Sequence, residues 1–283
     1  MGISLFLLSS FLYASIRLRG NFSAIFLRWL RFGATGTTFA YAVKFFTGNP
    51  APFGLLVATG LTLWFLAEGM ATWGQVRRLG DMEAPFCLRY DPADDLSLWP
   101  NAPDLRSVQN SKECGGFLLE TMARVDHRGK LLFLCPILLS ADRQIRLVMR
   151  FPLPLEGTAP ASFIFYSVDG GGRTIVTENF CGVFAGYYPD SWDVRRRPLV
   201  ASLFRLLALH RRRLCDRSPA AMDGNPIEML NGLQDALLEE NRGRNFLIAG
   251  AGAGRSSLRF GSEAGFRIWL EVFLLRYFGR PLG

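Results

Sequence analysis

Residues 162–180 read SFIFYSVDGGGRTIVTENF, two apolar runs around Asp169, Gly170, Gly171 and Gly172. Glycine supplies the positive φ that a tight hairpin turn needs, so the two runs are expected to pair as antiparallel strands. The segments before them repeat the pattern. FLLETMARV (117–125), KLLFLCPILL (130–139) and QIRLVMRFPL (144–153) are short, apolar and separated by the breaks DHRG and SAD. Runs of this length between turn residues read as strands, and together they predict an antiparallel sheet of about five strands.

Beyond the sheet the period lengthens. In RRRPLVASLFRLLALHRRRL (195–214), Leu199, Leu203, Leu206, Leu207, His210 and Leu214 share one helical face, and Pro198 suits a first helical turn. Arg211, Arg212 and Arg213 fall at the far end, where cations oppose the helix dipole. A second helix is expected over NPIEMLNGLQDALLEEN (225–241), with Asn225 as its cap. The chain closes with SEAGFRIWLEVFLLRYFGRPLG (262–283), in which Phe266, Trp269, Phe273 and Tyr277 line one helical face behind a Ser262 cap. Ile268, Val272 and Leu275 make its other faces apolar too. Such a helix needs burial on more than one side, which makes those four aromatic residues a docking surface, against sheet and bilayer or against another subunit.

The N-terminal third reads differently. PFGLLVATGLTLWFLAEGMATW (52–73) carries one charge, Glu68, and its length suits the ~20 residues that cross a ~30 Å hydrocarbon layer. Residues 24–46 are apolar apart from Arg28, Arg31 and Lys44 near the two ends, so a second span is expected, joined to the first by TGNPAP. Residues 1–16 are apolar but too short to span and lack a basic leader, and are read as a partly inserted helix. The expected architecture is thus α+β: a membrane anchor over 1–80 with a helical hairpin, an irregular Pro/Asp-rich linker over 81–115, and a soluble domain over 116–283 with three or so helices. Arginines flank the two outer ends of the hairpin, so the positive-inside bias puts the C-terminal domain on the cytoplasmic side.

Composition sets further bounds. The net charge of the 283 residues is +8, but residues 1–80 hold seven basic residues against Glu68 alone, while the remainder holds 25 against 23. The basicity belongs mainly to the lipid-like segment and needs no nucleic acid to explain it. Five cysteines with no C-x-x-C spacing suggest neither a zinc knuckle nor a disulfide framework, and fit a reducing compartment. Asp91, Asp94 and Asp95 lack the alternate spacing and closing Glu of a calcium loop, so no metal is expected. No cofactor is expected either.

Two features remain as candidate sites. Arg195, Arg196, Arg197, Arg205, Arg211, Arg212, Arg213 and Arg217 crowd 23 residues. They read as a solvated helix, as a contact for anionic lipid, or as a contact for an acidic partner; aromatic residues for nucleic-acid stacking are not interleaved. NFLIAGAGAGRSSLRF (245–260) sets Gly250, Gly252 and Gly254 before Arg255 and Ser256, a possible anion-binding loop. The spelling matches neither G-x-G-x-x-G nor the P-loop, and a turn between two strands is the favoured reading. His127 and His210 read as structural, and Asp190 with Asp193 as part of a packed loop. Catalytic signatures are thin, so the sequence leans away from an enzyme. It points to a membrane-anchored accessory or scaffold subunit of a larger membrane assembly, acting through protein and lipid-surface contacts. The alternative is a membrane-tethered domain holding a phosphate-bearing ligand on the 250–256 loop.

Overall fold

The computed structural model describes residues 21–80, 88–93, 116–127, 130–152, 162–249 and 258–282. The segment 1–16, most of the 81–115 linker and the glycine-rich residues 250–256 lie outside them. The chain divides into two compact units: a helical one, containing residues 21–80 with Val183–Ala185 and Gly265–Leu282, and one built on a sheet.

The sheet has seven strands in sequence order, β1 (Arg89–Pro92), β2 (Leu118–His127), β3 (Lys130–Leu139), β4 (Arg146–Pro152), β5 (Ser162–Val168), β6 (Thr174–Glu178) and β7 (Trp192–Arg196). Neighbours pair antiparallel except β6 and β7, which run parallel. The five expected strands are β2 to β6. The sheet is larger because β1 rises within the linker and β7 joins the other edge, a parallel pairing that leaves no hairpin signal in the sequence. Between β5 and β6, Gly172 takes φ +79° in the turn, and its N–H donates to Asp169 O.

Alternate residues of a strand face opposite ways, and here both faces are covered. Leu147, Met149, Phe151, Phe163, Phe165 and Ile175 pack with Leu203, Leu206, Leu207 and Leu214 of α3 (Leu203–Leu214). Val148, Ile164, Tyr166 and Val176 pack on the other face with Met222 and with Leu230 of α4 (Pro226–Gly243). Double coverage explains why the strands are apolar runs rather than alternating ones. α3 begins later than its sequence suggests: Ser202 caps it by accepting from Arg205 N–H, so Arg195 and Arg196 are strand residues and Leu199 is exposed. Asn225 caps α4 as expected, accepting from Ile227 N–H.

In the helical unit, α1 (Asn21–Thr47) and α2 (Phe53–Gly80) pack antiparallel. Gly36 and Gly60 allow their close approach. A Cβ at Gly60 would lie 2.8 Å from the Phe39 Cβ, and one at Gly36 would lie 2.6 Å from Leu61 Cδ2. Among the described residues one helix, over Phe53–Arg78, is long and apolar enough to cross a membrane. The expected second span is helical but does not qualify: Arg28, Arg31, Lys44 and a run of Thr and Gly from residue 33 to 38 dilute its apolar content. Most of α5 (Ser262–Phe278) belongs to this unit and packs against both helices through its aromatic side chains. Trp269 Nε1 donates to Gly69 O at 3.1 Å, Phe273 lies edge-on to Phe65, and Tyr277 O accepts from Trp29 Nε1 at 2.9 Å. Phe266, by contrast, is half exposed. Glu68 receives Arg28 at 3.3 Å and the Tyr277 hydroxyl. Glu271, which is fully buried, accepts from Phe184 N–H at 3.0 Å.

Polar side chains that point into the covered sheet are paired. Arg146 is fully buried and grips both carboxylate oxygens of Glu120, at 2.6 and 2.9 Å, with Gly224 O at 3.3 Å. Arg150 donates to the Tyr90 hydroxyl at 2.7 Å. Burial pushes the nearby Cys135 thiol up to about 12, against the charge of Arg150. Cys135 is the one buried cysteine among the described residues, Cys181 and Cys215 being exposed. Glu120→Ala strands the Arg146 charge in the core and is expected to cost about 3 kcal/mol, the lower end for a broken buried pair because Glu120 keeps 21% exposure. Glu120→Gln, which retains an acceptor, should cost less; urea midpoints of the two variants, read by tryptophan fluorescence, check the order.

Candidate functional site

The arginine cluster of the sequence is split by the fold. β6 and β7 pair with Thr177 opposite Arg195, and Glu178 opposite Arg196. The strand alternation sends Arg195 and Arg197 to the surface and turns Arg196 inward. Arg196 is buried, 3.2 Å from Glu178, and donates to Gly182 O. Arg205 and Arg211 are exposed on α3, away from the others. Arg212 and Arg213 share a helical face with Leu209 by i+3 and i+4 spacing, which Asp216 continues just past the helix end.

These groups line one cavity of about 550 Å³. Arg195 and Arg197 come from β7 and the residue after it, Thr177 from β6, Leu209, Arg212 and Arg213 from α3, and Asp216 and Arg217 from the turn that follows. Its organiser is Asp193, which sequence reasoning placed in a packed loop. Asp193 Oδ1 lies 2.7 Å from Arg213 Nη2, and Oδ2 lies 2.6 Å from Arg217 Nη2. Burial pushes the Asp193 carboxyl up, but the Arg217 hydrogen bond and the charges of Arg213, Arg217 and Arg195 outweigh it and hold the group below the usual carboxylate range. Arg213 is shifted the other way. Burial and the neighbouring Arg195 and Arg217 charges lower its guanidinium pKa despite Asp193. Asp190, paired with Arg244 at 3.2 Å, takes no part, so the two carboxylates of the YYPDSWD turn do not form a catalytic pair.

Arg213 also ties the cavity to the core. Its Nη1 donates to Val176 O at 2.5 Å and to Thr177 Oγ1 at 2.6 Å. Behind Thr177 lies His210, whose Nδ1 is 2.8 Å from Thr177 Oγ1 and whose Nε2 is 3.0 Å from Ser167 Oγ. Ser167 donates to Gln144 O at 2.7 Å, so its hydroxyl proton is committed and it accepts from His210. The proton therefore sits on Nε2, and Nδ1 accepts from Thr177. The ring stacks on Phe165, with centroids 5.6 Å apart.

Gly250, Gly252, Gly254, Arg255 and Ser256 lie outside the described residues. Their flanks β8 (Leu247–Ala249) and β9 (Leu258–Phe260) pair antiparallel. The glycine-rich residues are thus flanked by a strand on each side, whereas nucleotide folds place such glycines between a strand and a helix. No group of three or more His, Cys, Asp or Glu side chains that could hold a metal occurs among the described residues. Comparison of the chain with protein families, with curated proteins and with solved structures returns no match.

Burial, aided by the Arg213 charge, lowers the His210 pKa to about 3, whereas an unfolded histidine titrates near ~6.5. Above the unfolded value neither state binds the proton. As pH falls from there toward the folded value, only the unfolded chain takes it up, so stability drops by up to about 1.4 kcal/mol per pH unit. His210→Gln should flatten this slope between the histidine and carboxylate ranges, before Asp193 begins to titrate. Thermal unfolding as a function of pH measures it; an unchanged slope would mean that other groups carry the acid sensitivity.

Proposed function

We propose that the chain is a membrane-anchored accessory subunit of a larger membrane assembly, with its α+β domain on the cytoplasmic side and contacts rather than covalent chemistry as its work. The observation that carries the reading is the surface of α2. Only 11% of its apolar window is buried in the protein, and Leu55, Leu63, Leu66 and Met70 are more than half exposed. A continuous apolar surface of this kind requires lipid or a partner to cover it. Arg77 and Arg78 close α2, and Arg28 and Arg31 stand toward the same end of the antiparallel helix pair. The positive-inside bias supports a cytoplasmic side for the residues that follow α2. Arg205 and Arg211, exposed on α3 with no ion pair among the described residues, offer an acidic partner a cationic surface.

The chain should resist alkaline carbonate extraction and, drawn from its own membrane in mild detergent, carry a stoichiometric companion in native mass spectrometry. Arg205→Glu with Arg211→Glu is expected to lower the companion about tenfold by like-charge repulsion. A lone chain, or a companion retained in full by the double variant, would count against the partner surface.

A further inference from the structure

The cavity holds more positive charge than the fold uses. Arg213 and Arg217 share Asp193, yet Arg213 Nε and Arg217 Nη1 are buried without an acceptor. The Arg213 side chain is only 7% exposed, so solvent is a poor substitute. Arg195, Arg197 and Arg212 line the same cavity and make no ion pair among the described residues. Among the described residues that line the cavity, Asp216 is the one acid beside five arginines. Buried donors are normally satisfied, and like charges are normally kept apart. An arrangement that breaks both habits beside one cavity leaves positive charge for an anion to balance.

We propose that this cavity is a binding site for a phosphoryl group, carried by a soluble phosphate ester or by a lipid headgroup. A phosphoryl dianion offers several acceptor oxygens in a tetrahedron and can take two or more guanidinium forks at once. A single carboxylate has half that charge and would leave most of the surplus in place. The volume of about 550 Å³ falls in the range of small-molecule sites, with room for the phosphoryl group and part of its carrier. Among the described residues no aromatic side chain lines the cavity, which sets it apart from a stacking platform for nucleotide bases. Arg195 from the strand and Arg212 from the helix both line the cavity that would receive the anion. Arg213, fixed by Asp193, Val176 O and Thr177, lines the cavity in a position set before the ligand arrives. The inference stands whether or not the chain is an accessory subunit.

The test is isothermal titration of the full chain, in neutral detergent, with inorganic phosphate and then with two probes that share one headgroup: an inositol phosphate and a short-chain phosphatidylinositol phosphate. Saturable binding of phosphate is expected, weakened about tenfold by Arg195→Gln or Arg212→Gln singly and further by both. Neither residue makes an ion pair among the described residues, so circular dichroism of the variants should be unchanged. Arg205→Gln with Arg211→Gln, outside the cavity, should bind phosphate as the wild type does. Equal affinity for the two headgroup probes assigns the group to a soluble ester; tighter binding of the lipid probe assigns it to a membrane lipid. Absence of saturable binding for all three probes overturns the site, as does an affinity insensitive to Arg195→Gln and Arg212→Gln or equally sensitive to the Arg205 and Arg211 pair. A retained companion in native mass spectrometry with lost phosphate binding, or the reverse, separates this inference from the accessory reading.

Discussion

The covering of both faces of the seven-stranded sheet is the constraint that the rest of this domain obeys. A residue of the central strands β3 to β6 has little solvent on either side, so a polar side chain there must bring its partner with it. On the α4 face the solution is closed. Arg146 spends its charge on Glu120, while Nη2 also reaches the backbone oxygens of Gly224 and Met222 at 3.3 and 3.4 Å and Nη1 reaches Met229 Sδ at 2.9 Å. On the α3 face the solution is open-ended. Gln144 O, Ser167, His210 and Thr177 form a single hydrogen-bonded line, and its last link is a guanidinium in a cavity wall. The two faces therefore use the same physics to different ends: one locks a charge inside, the other holds a charge at the border.

That border is positioned from within. The donor order along the line fixes His210 as the neutral Nε2–H tautomer, since protonating Nδ1 would set two donors against each other or leave Thr177 without an acceptor. Burial reinforces it by pushing the ring's pKa far below the physiological range. Thr177 then has its lone pair free for Arg213 Nη1, and the guanidinium plane is set before any ligand is present. Asp193 completes the arrangement by dividing its two oxygens between Arg213 and Arg217. One carboxylate shared by two cations neutralises only half of their charge. A lysine at position 213 could not serve both the core hydrogen bonds and the carboxylate, because its donors radiate from a single atom.

How much of this was legible in the sequence follows from the same constraint. β2 to β6 were readable because each is a short, mainly apolar segment between turn residues, and α4 because Asn225 and Pro226 mark its start. β7 was hidden. WDVRR carries no apolar run, and its pairing with β6 is parallel, a tertiary event with no local turn to announce it. Reading Arg195, Arg196 and Arg197 as the start of a helix made them one basic patch; on a strand their sides alternate, which buries Arg196 against Glu178 and exposes the other two. Asp193 was misjudged for the same reason. Two residues before Arg195 on one strand, it shares that residue's face, a relation visible only once the strand is known. The spacing of Leu209, Arg212, Arg213 and Asp216 was the available signal, since residues three and four apart share a helical face.

The charge balance of the N-terminal third has a matching structural account. Residues 1–80 hold one acid among seven bases, and that acid, Glu68, stands where it meets Arg28 across the helix pair and the Tyr277 hydroxyl of α5. A carboxylate on an apolar helix is expensive unless paired, and a proton-relay role would require it to exchange partners with water or a substrate. Here its oxygens are engaged by a guanidinium and a phenol from two other helices of the same unit. The aromatic face of α5 explains the excess apolarity of that helix: Trp269, Phe273 and Tyr277 meet α1 and α2, while Glu271 and Arg267, on other faces, hold the short segment Val183–Ala185 through Phe184 N–H and Ala185 O. Glu68 therefore serves as the polar pin of a helical packing, and its position one residue before Gly69, whose carbonyl takes the Trp269 indole, places both contacts on the same turn of α2.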